Sequence, residues 1–139
     1  MILGIGTDIV DARRIEKILT RYPDRFASRI FTPLERAAAE KSSGKAAYLA
    51  KRFAVKEAVY KALSGADIVG CSWLEAETLN NHRGAPYVRL TGRCKTALET
   101  MLPDGYKASL SVSLSDEPPY ALAFVVINAV PADWAVPNE

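Results

Sequence analysis

The sequence feature that most constrains the fold is a long run near the middle of the chain that contains neither proline nor glycine. It extends from Lys45 to Ser64 and is rich in residues that favour helices. On a helical wheel, one side carries small residues around Glu57 and Lys61. The other side is apolar and comprises Leu49, Phe53, Val55, Val59, Tyr60 and Leu63. We predict one long helix with its apolar side in the core and a side of alanines that another group can approach closely.

The segments around this run predict shorter helices and strands. Residues 2–10 predict a buried strand, and the amphipathic helix that follows is interrupted at Pro23. Thr32-Pro33-Leu34-Glu35 has the pattern of a capping box and begins another helix. Later elements are strands over 75–79 and 87–90, a helix over 93–102, and strands over 108–115 and 120–128. This order predicts an α+β fold, with helices packed on a small, largely antiparallel sheet.

Length and composition limit the class of protein. A chain of 139 residues predicts one domain, which we place at residues 1–128 with a peripheral tail over 129–139. The formal net charge of +2 does not argue for a nucleic-acid partner. No apolar run approaches the ~20 residues of a membrane span, and the first residues lack a leader pattern. Two cysteines are too few for a disulfide framework, so we expect a cytoplasmic protein.

Two carboxylates are candidates for a metal site. Asp8 ends an apolar strand and Glu57 lies on the long helix, and Mg²⁺ is commonly held by one or two carboxylates plus substrate phosphates. Each residue also has an ordinary structural explanation. Asp8 could cap the following helix, and Glu57 could form a surface pair with Lys61 one turn away. From the residues alone both interpretations stay open.

Other possible motifs carry less weight. Gly4-x-Gly6 lacks the third glycine of a dinucleotide-binding loop. His82 is the only histidine and lies in a turn-rich segment, which disfavours a nucleophile activated by histidine.

Two motifs give the chain a specific resemblance. Gly4-Ile5-Gly6-Thr7-Asp8-Ile9-Val10, followed by Arg14-Ile15, resembles the N-terminal signature of the holo-acyl-carrier-protein synthases, which are short 4′-phosphopantetheinyl transferases. Lys51-Arg52-Phe53-Ala54-Val55-Lys56-Glu57-Ala58-Val59-Tyr60-Lys61-Ala62-Leu63 resembles their second signature. The motifs occur in the family's order and separation, and the likeness extends over roughly residues 2–128.

The resemblance implies a reaction and a set of residues. A serine of an apo acyl carrier protein would attack the β-phosphate of coenzyme A, and adenosine 3′,5′-bisphosphate would leave. Asp8 and Glu57 would hold Mg²⁺, and Lys61 would contact the phosphates. Further coenzyme contacts would come from Arg52, Lys56, Ser64, Gly65 and Ser111. Either a metal-bound water or Glu57 could take the serine proton. The family's place in metabolism is fatty acid biosynthesis.

Two positions depart from the family's pattern. Where the family has a Gly-Thr-Gly-Ile loop, this chain has Ser64-Gly65-Ala66-Asp67-Ile68, which places an acidic residue near the expected phosphates. Ser111 stands where the family often has a histidine. An alternative function is therefore a coenzyme A-binding module with lost or altered transferase activity. A further alternative is an adaptor protein whose charged face binds another protein.

The resemblance also implies partners. Acyl carrier proteins are acidic, and the family's carrier contacts correspond to Arg14, Arg21, Arg25 and Arg29. On a continuous helix Arg14 and Arg21 share a face, which agrees with a docking surface. The alternative is that these arginines are ordinary solubility charges. The family further implies a homotrimer with active sites between subunits.

Overall fold

The computed structural model describes residues 1–67 and 70–136. The strands are β1 (Ile2–Asp11), β2 (Ala76–Asn80), β3 (Pro86–Leu90), β4 (Tyr106–Glu117) and β5 (Tyr120–Pro131). The helices are α1 (Ala12–Arg21), α2 (Pro23–Ile30), α3 (Pro33–Lys41), α4 (Lys45–Ala62) and α5 (Gly92–Met101), with a 3-10 turn at Trp73–Glu75. Ile68, the end of the expected coenzyme loop, and residues 137–139 of the expected tail lie outside the described residues.

Helix α4 is the long helix that the proline-free run predicted. Its apolar side includes Leu49, Val55 and Val59, which are buried in one continuous core. Tyr60, which the helical wheel placed on the same side, is 51% exposed. The predicted capping box of α3 is present, with Thr32 and Glu35 each accepting a backbone N–H from the other.

The sheet is antiparallel and supports the α+β prediction. Strand β5 lies between β1 and β4, and β2 pairs with β3 in a separate hairpin. In the register of the larger sheet, Asp8 lies opposite Ala123, and Val112 lies opposite Val125. Side chains alternate between the two faces, so Ala123 and Val125 point into the core beneath α4.

The alanines of α4 serve the packing of β1. A Cβ atom added to Gly6 would lie 1.8 Å from the carbonyl oxygen of Ala58, and one added to Gly4 would lie 2.0 Å from that of Ala62. Ala54 and Ala58 are fully buried. The group that approaches this side of the helix is therefore the backbone of β1, which also explains the two glycines that lack a dinucleotide-binding pattern.

The predicted interruption at Pro23 is confirmed, and a new helix, α2, begins there, because proline fits the start of a helix, where its missing N–H needs no partner. One boundary differs from the sequence prediction. Strand β5 continues to Pro131, past the expected boundary at residue 128. Residues Ala129 and Pro131 pair with β4, and Ala129 is buried. The start of the expected tail is thus part of the sheet.

Among the residues that the structure describes, no helix is both long and apolar enough to cross a bilayer.

Replacing Gly6 tests the close approach of β1 to α4. We expect Gly6→Ala to lower the free energy of unfolding by about 1–3 kcal/mol or more, because the added methyl group overlaps the backbone of α4. Gly44→Ala is the matched control, since its added Cβ would have only the Ala47 side chain within reach, at 3.8 Å. Urea unfolding of both variants measures the difference, and equal stability would contradict the packing argument.

Candidate active site

Asp8, Glu57 and Lys61 come together where β1 passes over the last turns of α4. The ammonium of Lys61 donates to the backbone oxygen of Thr7 at 2.9 Å and to Oδ1 of Asp8 at 3.1 Å. The N-cap of α1 is Asp11, not Asp8, since Asp11 accepts the backbone N–H of Arg13. The capping explanation for Asp8 is therefore excluded, and its carboxylate points toward α4.

The carboxyl group of Glu57 is in an environment that disfavours its charge. Partial burial raises the pKa of Glu57, and the negative charge of Asp8 raises it further. Lys61 and Arg14 act in the opposite direction. Two carboxylates held close enough to repel each other are a site at which a cation would be stabilised.

The donor set fits a hard divalent cation. Asp8 and Glu57 offer only carboxylate oxygens, and within residues 1–67 and 70–136 no group of three or more His, Cys, Asp or Glu side chains could hold a metal. Mg²⁺ is usually bound in this way, with one or two carboxylates from the protein and the remaining positions filled by water and substrate phosphates. Asp8 and Glu57 are thus the residues that would hold the ion.

The ammonium of Lys56 is directed to Glu35, although the residue lines the same pocket as Glu57, and its expected contact with the coenzyme stays a prediction. Its side chain is buried, and its ammonium donates to Oε1 of Glu35 and to the backbone oxygens of Trp73 and Ala76, each at 2.8 Å. Burial lowers the pKa of Lys56, and Glu35 counteracts that shift. The helical wheel could have indicated this burial, because Lys56 lies in the middle of its apolar side.

Arg52 is also directed into the protein. It is 4% exposed, and its guanidinium donates to the hydroxyl of Tyr48 at 2.8 Å and to Oδ1 of Asn80 at 3.1 Å. It also lies over the Tyr48 ring. Within one chain it belongs to the contact between α4 and the β2–β3 hairpin, on another side of the helix from Glu57, so the structure does not place it among the coenzyme-binding residues.

The remaining predicted coenzyme residues occupy two places. Ser64 and Gly65 are exposed just beyond the end of α4, close in sequence to Lys61. Ser111 is exposed on β4, where it pairs with Val126 on the sheet face that points away from α4. Within one chain Ser111 is therefore not brought together with Asp8 and Glu57.

The four arginines expected to contact a carrier protein lie along α1 and α2. Arg25 and Arg29 border a pocket of about 430 Å³ with an apolar floor that includes Ile18 and Phe26. Arg21 lies over the Tyr22 ring, with 5.3 Å between the guanidinium carbon and the ring centroid. The sequence did not lead us to predict this pocket. The apolar side of the amphipathic α1 was the feature that could have indicated it.

Arg14 lies nearer to the candidate metal site than the other three. Its guanidinium carbon is 5.9 Å from the centroid of the Phe53 ring on α4. Its charge also reaches Glu57, whose pKa it lowers. Arg14 thus connects the arginine-rich surface to the carboxylates.

Comparison with known proteins identifies the family. The sequence pattern described as the 4′-phosphopantetheinyl transferase superfamily matches residues 4–125, which include both signatures and every residue of the carboxylate site. The chain belongs to this superfamily.

Relatives and solved structures agree with this membership of the 4′-phosphopantetheinyl transferases. A holo-acyl-carrier-protein synthase of Methylobacterium sp. (strain 4-46) is 48% identical over 130 residues, covering 94% of this chain and 96% of that protein. The crystal structure of the Neisseria meningitidis synthase has a TM-score of 0.78 and 38% identity, covering 92% of this chain and 99% of that one. The Helicobacter pylori synthase in complex with coenzyme A has a TM-score of 0.73 and 32% identity, covering 89% of this chain and 99% of that one. The predicted family and fold are confirmed, and the roles of individual residues stay predictions.

The pKa of Glu57 tests the geometry of this transferase site without any substrate. We expect Asp8→Asn to lower that pKa in the metal-free protein, because it removes the neighbouring negative charge. Arg14→Gln should raise the same pKa, because it removes a positive charge. Carboxyl-carbon NMR titration of the three proteins measures both shifts, and shifts of the same sign would contradict the arrangement.

The same pKa has a consequence for stability. A raised pKa means that the folded protein holds this proton more tightly than the unfolded chain does. The free energy of unfolding should therefore fall as the pH rises from the usual pKa of a glutamate through the raised pKa of Glu57.

Proposed function

We propose that this chain is a magnesium-dependent holo-acyl-carrier-protein synthase. It transfers the 4′-phosphopantetheine group of coenzyme A to a serine of an apo acyl carrier protein and releases adenosine 3′,5′-bisphosphate. The observation that carries the proposal is the meeting of Asp8, Glu57 and Lys61 at one exposed position in a chain whose relatives are synthases of this name. The intact set favours an enzyme over a coenzyme A-binding module that has lost its activity.

Lys61 is well placed to contact the transferring phosphate. Its side chain is 54% exposed, yet two of its three N–H donors are held by Thr7 and Asp8. The third donor is left for a phosphate oxygen. A lysine is needed here because the end of a helix presents carbonyl oxygens, which by themselves repel a phosphate.

Asp8 and Glu57 contribute by holding the metal. A bound Mg²⁺ supplies positive charge that neutralises the phosphate oxygens and aligns the transferring group. Glu57 must lose its proton to bind the cation, so its raised pKa links metal binding to pH. Ser64 and Gly65 lie beside Lys61 and are the residues of the altered loop that we assign to the coenzyme.

The carrier protein would dock on α1 and α2. The pocket between these helices joins an apolar floor to the basic side chains of Arg25 and Arg29. Such a surface suits an acidic helix with apolar residues on one side. Arg14 lies between this surface and Glu57. A carrier docked on the surface would therefore have its serine close to the phosphate.

A second copy of the chain would complete the site. Ser111 lies on a sheet face that is apolar and uncovered, where Ile5 is 58% exposed, Ile9 is 62% exposed, and Leu122 and Phe124 are each 39% exposed. Contiguous exposed apolar residues of this kind commonly mark a protein–protein contact. We propose that this face forms the contact in a homotrimer and that Ser111 reaches a neighbour's coenzyme. A cytoplasmic location is part of the same proposal, and the free thiols of Cys71 and Cys94 suit a reducing compartment.

Isosteric replacement of the two carboxylates tests the metal site. We expect Asp8→Asn and Glu57→Gln each to slow transfer by about a hundredfold or more, because each removes a ligand charge while retaining the shape of the side chain. Asp104→Asn, in an exposed turn, is the matched control and should transfer normally. The assay is mass spectrometry of an apo carrier protein incubated with the variant, coenzyme A and Mg²⁺. Near-normal transfer by a folded Glu57→Gln protein would remove that residue from the metal site.

Charge reversal on α1 and α2 tests the docking surface. We expect Arg21→Glu and Arg25→Glu to raise the KM for the carrier protein roughly tenfold at low salt and to weaken the salt dependence of the rate. The KM for coenzyme A should not change. Lys17→Glu makes the same charge change on α1 and should have little effect. Arg14 is unsuitable for this test because its charge also acts on Glu57. An unchanged carrier KM in both variants would place docking elsewhere.

The assembly can be tested by sedimentation. We expect the wild-type protein to sediment at three times the chain mass of 15.2 kDa. Phe124→Glu should shift it toward the monomer, because it places a charge in the apolar face. Leu34→Glu alters a residue that is 55% exposed on α3 and should leave the assembly intact. A wild-type monomer would rule out the trimer without affecting the assignment of the metal ligands.

A further inference from the structure

Two free cysteines meet in the wall of a pocket of about 380 Å³ that Glu57 and Trp73 also line. Cys71 is half-buried in the segment before the 3-10 turn, and Cys94 is buried in the first turn of α5. Burial is the main cause of the raised pKa of the Cys94 thiol and Cys71 adds to it, so the two side chains are neighbours in this wall. Neither cysteine takes part in the proposed transfer, so their contact is a separate feature of the molecule.

The surrounding contacts hold the two cysteines in place. The carboxylate of Glu75 accepts the backbone N–H of Ser72 at 2.6 Å and also the backbone N–H of Arg93. The backbone oxygen of Glu75 accepts the N–H of Thr91 at 3.0 Å. One side chain thus ties the residue after Cys71 to the residue before Cys94.

Glycine residues permit this close contact. Gly92 has a φ of +53°, and an added Cβ would lie 1.7 Å from Oε2 of Glu75. A Cβ added to Gly70 would lie 3.1 Å from Nη1 of Arg93, so the backbone next to Cys71 also packs against the residue next to Cys94. The two backbone segments that carry Cys71 and Cys94 therefore pack closely against each other.

We propose that Cys71 and Cys94 are a dithiol site that a small-molecule disulfide such as oxidised glutathione converts reversibly to an intramolecular disulfide. In the first step the thiolate of Cys71 attacks one sulfur of the reagent and releases one thiol. The sulfur of Cys94 then loses its proton to solvent, attacks the Cys71 sulfur of the mixed disulfide and releases the second thiol. Two protein thiols are oxidised and one reagent disulfide is reduced to two thiols.

Exposure decides the order of these steps. Cys71 is the thiol that an outside reagent can reach, whereas Cys94 is only 2% exposed. Burial raises the pKa of the Cys94 thiol, so it stays protonated and unreactive until a mixed disulfide forms beside it. Cys71 is thus the attacking thiol and Cys94 the resolving one.

Peptide mapping after treatment with oxidised glutathione tests the proposal, and it does not depend on transferase activity. In the wild-type protein we expect one peptide pair cross-linked through Cys71 and Cys94, the loss of both titratable thiols, and full recovery with dithiothreitol. A protein that remains reduced, carries only glutathione adducts, or forms only dimers between chains would overturn it.

Two variants separate the roles of the thiols. Cys94→Ala should accumulate a glutathione adduct at Cys71, because no thiol is present to resolve it. Cys71→Ala should remain unmodified, because Cys94 is buried. Modification of Cys94 in the Cys71→Ala protein, with native circular dichroism, would overturn the assignment of the attacking thiol.

Thermal unfolding tests whether the fold places the thiols ready to pair. The disulfide closes a loop that contains the β2–β3 hairpin, and it should raise Tm by roughly 5 °C because it restricts the unfolded chain. A Tm lower than that of the reduced protein would mean that the cross-link distorts the structure, which would overturn the claim that the thiols are placed ready to pair.

Discussion

The close packing of β1 against α4 is the contact on which the candidate site depends. Gly4 and Gly6 lack side chains at the points where the strand backbone meets the carbonyl oxygens of Ala58 and Ala62. Only this short separation allows Asp8, two residues beyond Gly6, to reach Lys61. The glycines of the first signature and the alanines of the second thus form one contact. Asp8, Glu57 and Lys61 lie immediately beside it.

The charged residues of α4 show how position in the fold decides function. Lys56 and Lys61 lie in the same helix, yet Lys56 is 2% exposed and joined to Glu35, whereas Lys61 is held at the surface beside Asp8. A buried ion pair is costly to break, because removal of one partner leaves the other charged in a dry interior. The pair therefore holds α4 against α3 and the segment that leads into β2. This support holds Glu57, the next residue along the helix, in the wall of the pocket of about 380 Å³ that Trp73 also lines.

One chain carries a site that is open on one side. Asp8 and Lys61 lie on the face of the sheet that packs against α4, and Glu57 lies near Arg14, whereas Ser111 lies on the opposite face among exposed apolar residues. A surface with Ile5 and Ile9 more than half exposed is unfavourable in water. The proposed trimer would cover this surface and bring a neighbour's Ser111 toward the coenzyme.

Local patterns in the sequence determined the helices and strands, because helix propensity, alternation and capping act over a few residues. The resemblance of two motifs gave the family and, with it, the roles expected of Asp8, Glu57 and Lys61. Only the tertiary structure decided which charges face the site. Lys56 and Arg52 turn inward because Glu35, Tyr48 and Asn80, distant or one turn away in sequence, offer them partners. Asp8 is directed toward Lys61 on α4, and Asp11, three residues further along, caps α1. The helical wheel places Lys56 on the apolar side, but it cannot name Glu35 or Asn80 as partners, because these residues lie more than 20 positions away in the chain.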